Sequence, residues 1–167
     1  MTVQVNGKLF DPFIDSNTVH KRILELGAQI NKDYAGLNPL FLGILNGSFI
    51  FAADLFRSVT VNAEISFIKL ASYKGTTSTG NVITSIGMEE SIASRHVIIL
   101  EDIIDTGTTL HAFLPQLQQQ NPASLKIASL LSKPEARKYD VHADYLGFEI
   151  PDVFVVGYGL DYDGLGR

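Results

Sequence analysis

The sequence predicts an α/β fold, a doubly wound and mostly parallel sheet that is flanked by helices. Short apolar runs alternate along the chain with amphipathic segments, as in strands that helices cover on both faces. Apolar residues make up 46% of the 167 residues, and no linker-like stretch divides them. We therefore expect a single domain over residues 1–167, long enough to bury one sizeable core.

Hydrophobic spacing and turn residues predict the individual elements. Val19, Ile23, Leu26 and Ile30 share one face of a helix that Ser16 opens. Further helices are predicted over residues 48–58, with Ser48 as its cap, and over 108–120. The predicted strands cover residues 40–45, 64–70, 82–86, 96–102, 125–131, 144–148 and 153–160.

The charge and the cysteine content exclude several classes of function. Thirteen Lys and Arg against 18 Asp and Glu give a net charge of −5, which disfavours nucleic acid and membrane surfaces as partners. The absence of Cys removes disulfides, thiolate catalysis and Cys-based metal sites. We see neither a signal peptide nor a membrane-spanning run, so the sequence predicts a cytoplasmic protein.

The most informative segment follows the apolar run 97–100. Glu101 and Asp102 end this run, and the polar turn 105–109 then leads into a helix. The backbone N–H groups of a helix N-terminus favour a phosphate, Gly107 permits close approach, and three Thr hydroxyls add donors. Paired carboxylates accept hydrogen bonds from a diol. Residues 101–109 therefore predict a ribose-5-phosphate pocket, and a helix capped by Asp105 or Thr106 is the alternative.

The segment VIILEDIIDTGTTL resembles the phosphoribosyl-diphosphate (PRPP) binding motif of type I phosphoribosyltransferases. Four other segments resemble, in the same order and spacing, blocks of the 6-oxopurine (hypoxanthine-guanine) branch of that family. They are LNGSFIFAADLF, FIKLASYKGTTSTGNV, SLLSKPEAR and FEIPDVFVVGYGLDY. The resemblance covers most of the chain from about residue 40 onward. It implies the type I fold with a small hood and a flexible lid loop over residues 71–81.

The resemblance implies roles for the central motif. Glu101 and Asp102 would hydrogen-bond the ribose hydroxyls, directly or through Mg²⁺. Asp105 would lie near purine N7 as general acid and base, for which a helix cap is the alternative role. The implied PRPP-binding set is Glu101, Asp102, Asp105, Thr106, Gly107, Thr108 and Thr109.

The resemblance also implies a purine-binding set of Lys133, Phe154, Val155 and Asp161. Lys133 would donate to the 6-oxygen, which favours a keto group over the amino group of adenine. Phe154 would stack on the base, the Val155 backbone would read its edge, and Asp161 would lie near Mg²⁺ and pyrophosphate. The alternatives are a solvated surface Lys, a core Phe and a turn Asp. The implied metal ligands are Glu101, Asp102 and Asp161.

The implied pyrophosphate-binding set is Asn46, Gly47, Ser72, Tyr73 and Arg167. Asn46 stands where many relatives carry Lys, and Thr108 stands where they often carry Lys or Arg. Both departures lower the positive potential near the phosphates, which leaves the phosphate affinity open.

The function that follows from the resemblance is transfer of 5-phosphoribosyl from PRPP to hypoxanthine, and to guanine, with Mg²⁺ as cofactor. A homodimer or homotetramer is expected. The rival interpretation is a non-catalytic regulator on the same fold that senses PRPP or a nucleotide. An adenine phosphoribosyltransferase is a third interpretation, which Lys133 disfavours.

Overall fold

A computed structural model describes residues 2–72, 82–86 and 90–167, with the backbone alone at 71–72 and 82–86. The strands are β1 (Val3–Val5), β2 (Lys8–Phe10), β3 (Leu40–Leu45), β4 (Glu64–Ser72), β5 (Val82–Ile86), β6 (His96–Ile104), β7 (Ser124–Ser132) and β8 (Tyr145–Glu149). The helices are α1 (Ser16–Asp33), α2 (Phe49–Arg57) and α3 (Thr108–Gln118), and a 3₁₀ turn covers Pro134–Ala136.

The main sheet has the strand order β5-β4-β3-β6-β7-β8. Strands β4, β3, β6, β7 and β8 run parallel, and β5 pairs antiparallel with β4 at one edge. From β3 the chain adds β4 and then β5 on one side of the sheet. From β6, which lies on the other side of β3, it adds β7 and β8 in the opposite direction across the sheet. This reversal confirms the doubly wound sheet, and it places the carboxyl ends of β3 and β6 side by side.

Helices cover both faces of the sheet. Phe41 of β3 and Ile98 of β6 pack in one core with α1 and α2. Their neighbours Leu42 and Ile99 point to the opposite face and pack with α3. Because successive residues of a strand face opposite sides, burial of both sides requires the continuous apolar runs seen in the sequence.

The predicted strand over 153–160 is wrong. Gly157, Tyr158 and Gly159 all have positive φ, of 96°, 53° and 101°, and the segment forms only an isolated bridge between Gly157 and Leu160. A chain with three successive left-handed residues cannot continue a ladder. Val155, Tyr158 and Leu160 are nevertheless packed against the core, so the apolar run reflects burial without strand pairing.

An N-terminal hairpin is present that the sequence analysis missed. Strands β1 and β2 pair antiparallel around Asn6 and Gly7, whose φ values are 49° and 76°. Positive φ at both central residues is typical of a type I′ turn, for which Asn-Gly is a strong sequence signal. The hairpin approaches the 153–166 segment, since the Phe10 ring lies 6.2 Å from that of Phe154. These two segments form the small hood.

The predicted helix cap at Ser48 needs adjustment. Ser48 occupies the N-cap position of α2 but makes no capping bond, because its buried hydroxyl donates back to the Ile44 carbonyl at 2.7 Å. The predicted lid over 71–81 lies outside the described residues except for the last two residues of β4. Within the part of the chain that is described, no helix is long and apolar enough to cross a membrane.

Candidate active site

A cavity of about 340 Å³ lies at the carboxyl ends of β3 and β6. It is lined by residues 44–47, Leu70, residues 101–110, Asp161 and Arg167. The structure therefore brings the whole predicted ribose-phosphate segment 101–109 to one opening, together with Asn46 and Gly47. This is the edge of the sheet where doubly wound folds bind ligands.

The turn 105–109 joins the end of β6 to the N-terminus of α3. Gly107 occupies the N-cap position with φ of 79°, so Asp105 is not the cap. Thr106 lies one residue before the N-cap, and its hydroxyl accepts the Thr108 backbone N–H at 3.3 Å and bonds to the Thr108 hydroxyl at 2.8 Å. The Thr106 carbonyl accepts hydrogen bonds from the backbone N–H groups of Lys138 (2.9 Å) and Tyr139 (3.3 Å). The turn is thus fixed from behind while the N-terminus of α3 faces the cavity.

The two adjacent acids differ in their surroundings. Glu101 is buried, whereas Asp102 is half-buried and accepts a hydrogen bond from the Ile103 backbone N–H at 3.0 Å. Burial, followed by the negative charge of Asp102, raises the pKa of Glu101 well above the usual range of a Glu. Among the described residues, neither acid forms an ion pair with a protein cation.

Two backbone segments, 46–47 and 157–160, pack in succession beside the Asp102 carboxylate. A Cβ atom on Gly47 would overlap the Asp102 carboxylate, and a Cβ atom on Gly159 would overlap the Gly47 carbonyl. The peptide bond between Leu45 and Asn46 is cis. Glycine at both positions therefore allows the 46–47 turn to fit between Asp102 and the 157–160 segment.

Asp161 and Arg167 line the cavity as a pair. An Arg167 Nη2 to Asp161 Oδ1 distance of 2.7 Å makes a salt bridge, and Arg167 Nη1 donates to the Gly159 carbonyl at 2.5 Å. Asp161 Oδ2 also accepts from the Gly164 backbone N–H at 2.6 Å, as a turn Asp does. The Arg167 side chain is thus oriented by two acceptors beside the cavity.

Lys133 follows β7 and is only 6% exposed, so the solvated-surface alternative is wrong. Its Nζ lies 3.6 Å from Asp105 Oδ2 and donates to Asp152 Oδ1 at 3.4 Å. A buried ammonium requires such counter-charges. The sequence analysis missed Asp152, because nothing in the local pattern of IPDVF marks a residue that contacts a Lys 19 positions earlier.

Phe154 and Val155 do not border the 340 Å³ cavity. They line a neighbouring apolar groove of about 840 Å³, together with residues of the N-terminal hairpin. The Phe154 side chain is 61% exposed, so the core alternative is wrong, and its ring lies 5.6 Å from that of Tyr162. Lys133 lines neither opening; its Nζ lies between Asp105, which borders the cavity, and Asp152, which directly precedes the groove residue Val153. Of the two remaining predicted residues, Ser72 is described by its backbone only and Tyr73 lies outside the described residues.

Arg137 is a second residue that the sequence analysis missed. Its Nε donates to the Asp105 carbonyl at 3.3 Å, its Nη2 to Ser132 Oγ at 2.6 Å, and its Nη1 to the Val141 carbonyl. It therefore ties the turn that carries Asp105 to the strand end that carries Lys133. The 32 positions between Arg137 and Asp105 leave no local signal of this contact.

The donor set of the cavity suits Mg²⁺ that arrives with a phosphate ligand. Asp102 and Asp161 offer carboxylate oxygens, the ligand type that Mg²⁺ prefers, and Mg²⁺ commonly takes one or two carboxylates together with substrate phosphates. Across the described ranges, no group of three or more His, Asp or Glu side chains could hold a metal ion by itself. Glu101, with its raised pKa, is the least suited of the three predicted ligands.

Comparison with known proteins gives consistent matches. The family model for the phosphoribosyl transferase domain matches residues 15–163. The hypoxanthine-guanine phosphoribosyltransferase of Streptococcus pneumoniae is 48% identical over 139 residues, 83% of this chain and 77% of the relative. The hypoxanthine phosphoribosyltransferase of Haemophilus influenzae is 46% identical over 156 residues, 91% of this chain and 87% of the relative. A crystal structure of a Staphylococcus aureus hypoxanthine phosphoribosyltransferase superposes with a TM-score of 0.89 at 43% identity, over 94% of this chain and 86% of that one.

Proposed function

The chain belongs to the phosphoribosyl transferase family, and from this membership we propose that it transfers 5-phosphoribosyl from PRPP to N9 of hypoxanthine and of guanine. The products are IMP or GMP and pyrophosphate, which makes the protein an enzyme of purine salvage. One observation carries the proposal: a single cavity is lined by two adjacent acids, by the N-terminal turn of a helix and by the 46–47 turn.

The ribose-5-phosphate end of the substrate fits residues 101–109. Backbone N–H groups and Thr hydroxyls of the turn 106–109 would bind the 5′-phosphate, with the dipole of α3 favouring its negative charge. Asp102 accepts hydrogen bonds from ribose hydroxyls. Burial raises the pKa of Glu101, and in its protonated form Glu101 would both donate to and accept from the same hydroxyls.

The base end of the substrate fits Asp105 and Lys133. The Lys133 ammonium would donate to the 6-oxygen, while the Asp105 carboxylate faces N7. As N9 forms its bond to C1′ and pyrophosphate leaves, the proton on N7 passes to Asp105, so charge does not build up on the base. Phe154 would cover one face of the purine, and the Val155 backbone would meet its edge.

The pyrophosphate end of the substrate fits the 46–47 turn and Arg167, and the resemblance would add Ser72 and Tyr73 to this set. Asn46 contributes amide donors without charge, so Arg167, which is paired with Asp161 in the free protein, would be the cation that meets the pyrophosphate. Asp102 and Asp161, and Glu101 in its ionised form, would hold Mg²⁺, and the bound ion would supply positive charge that offsets the charge of the pyrophosphate leaving group. We further propose one domain over residues 1–167, a homodimer or homotetramer, and action in the cytoplasm.

An enzyme assay tests this function. Purified protein with PRPP and Mg²⁺ is expected to form IMP from hypoxanthine and GMP from guanine, and to use adenine poorly. Absence of IMP formation would refute the proposed reaction, and preferred use of adenine would support the adenine phosphoribosyltransferase instead. Tight binding of PRPP or nucleotide without turnover would support the regulator.

A further inference from the structure

Lys133 is held by two carboxylates that belong to different walls of the site. Asp105 belongs to the turn after β6, which borders the 340 Å³ cavity. Asp152 lies directly before Val153 and Phe154, which border the apolar groove. Asp152 has no part in the mechanism above, although it is the shorter of the two contacts, 3.4 Å against 3.6 Å.

Asp152 provides a counter-charge for the Lys133 ammonium when Asp105 cannot. A buried ammonium is costly unless an opposite charge stays beside it. In the proposed reaction Asp105 accepts a proton and becomes neutral, so it cannot remain the counter-charge of Lys133 throughout. Asp152 takes no part in this proton transfer, so it remains beside Lys133 as the second carboxylate.

Asp152 also orients the Lys133 ammonium through a hydrogen bond. An ammonium has three N–H donors. One of them donates to Asp152 Oδ1 at 3.4 Å, whereas Asp105 Oδ2, at 3.6 Å, is an ion-pair partner beyond hydrogen-bond distance. Asp152 therefore sets the position of Nζ and leaves donors for a ligand acceptor. Without the charge of Asp152, Lys133 would be drawn towards Asp105 alone, away from the groove that Phe154 borders.

We propose that Asp152 is a positioning residue that sets the preference for 6-oxopurines by holding the Lys133 ammonium between the two walls of the base site. This inference rests on the proposed function. Asp152 acts through Lys133, so its loss should weaken recognition of the 6-oxygen and leave the ribose-phosphate contacts intact.

Nucleotide titration by calorimetry tests this proposal without requiring turnover. The variant Asp152→Asn keeps the size of the side chain and removes its charge. We expect its affinity for IMP to fall about tenfold and its affinity for AMP to change less than about twofold, the scale of one charge-assisted hydrogen bond. Glu135→Gln is the matched control, because it removes one negative charge from an exposed residue close to Lys133 in the chain, and it should change neither affinity.

Kinetics supply a second readout. In Asp152→Asn the KM for hypoxanthine should rise while the KM for PRPP stays within about twofold, and Asp152→Glu should restore part of the preference. An unchanged preference for IMP over AMP, or an equal loss of both nucleotides, would overturn the inference. Wild-type protein that binds no IMP would instead refute the proposed function, and this inference with it.

Discussion

Both the side-chain carboxylate and the backbone carbonyl of Asp105 have polar neighbours. Its carboxylate lies 3.6 Å from Lys133 Nζ, and its backbone carbonyl accepts a hydrogen bond from Arg137 Nε at 3.3 Å. Gly107, not Asp105, occupies the N-cap position of α3. The backbone is therefore fixed, while the carboxylate faces a Lys and a cavity, an arrangement suited to proton transfer.

The substitution Asp105→Asn should separate catalysis from binding. An amide cannot accept the N7 proton, so kcat should fall by about 10²–10⁴, the usual contribution of general acid-base catalysis. Affinity for IMP should change less than about fivefold, because the phosphate contacts belong to other residues. Steady-state kinetics and calorimetry measure the two effects, and an unchanged kcat would remove Asp105 from the mechanism.

Glu101 makes the stability of the free protein depend on pH. The folded chain holds the Glu101 proton to higher pH than the unfolded chain does, because burial raises its folded pKa. When pH rises above the ordinary range of a Glu, the unfolded state releases this proton first. The free energy of unfolding therefore decreases with rising pH until the raised folded pKa is passed.

The variant Glu101→Gln should lack this decrease. Near neutral pH its Tm should exceed that of the wild type, because Gln carries no charge that burial disfavours. The difference should vanish below about pH 4, where Glu is protonated in both states. Thermal unfolding across this range measures it, with the exposed Glu135→Gln as control. If the Tm of Glu101→Gln and the Tm of Glu135→Gln varied with pH in the same way, burial would not disfavour the ionised form of Glu101.

At the scale of the elements, Arg137 clamps the phosphate turn from behind. Three of its nitrogen atoms donate to Asp105, Ser132 and Val141, which belong to three different segments. Its Cδ would also lie 3.3 Å from a Cβ atom on Gly107. The position of the turn therefore depends on this side chain.

We expect Arg137→Met to raise the KM for PRPP by about tenfold or more, since a turn displaced by a fraction of an ångström loses directed phosphate contacts. Arg22→Met is the matched control. Arg22 also donates to two backbone carbonyls, those of Leu146 (2.8 Å) and Gly147 (3.1 Å), but it links α1 to β8 away from the cavity. Both variants should lose stability, and only Arg137→Met should lose affinity for PRPP. An equal KM for PRPP in Arg137→Met and Arg22→Met would show that Arg137 does not position the phosphate turn.

The contact between Gly159 and Gly47 gives a prediction on the other side of the cavity. Gly159→Ala adds a Cβ atom that overlaps the Gly47 carbonyl at a residue with φ of 101°, so the 46–47 turn must shift. The KM for pyrophosphate in the reverse reaction should rise about tenfold or more. Gly36→Ala has the same kind of φ, 76°, with open space around the added Cβ, and serves as control. It should cost about 1 kcal/mol of stability with unchanged kinetics.

The elements also show where sequence reasoning is sufficient and where it is not. Strands β3 and β6 were predictable because burial on both faces leaves a continuous apolar run. The same apolar signal was misleading at 153–160, where Val155 and Leu160 are partly buried against the core without strand pairing. The hairpin around Asn6 and Gly7 could have been predicted from that dipeptide.

At the scale of the whole molecule, the net charge of −5 opposes an anionic substrate, so the site must supply its own attraction. Arg167 at the rim, Arg137 behind the turn and the N-terminus of α3 supply it. The position of the cavity followed from the motif 101–109, which is local in sequence. The contacts of Arg137 and Asp152 could not be predicted, because the fold alone brings them to Asp105 and Lys133.

We propose that residues 101–109 bind a ribose that carries a 5′-phosphate, with the base directed towards Lys133. A crystal structure of the protein with IMP would locate all three parts of the ligand. We expect the phosphate at the N–H groups of the turn 106–109, the ribose hydroxyls at Asp102 and the 6-oxygen at Lys133 Nζ. IMP bound with its phosphate away from this turn, or with its base away from Lys133, would contradict the account.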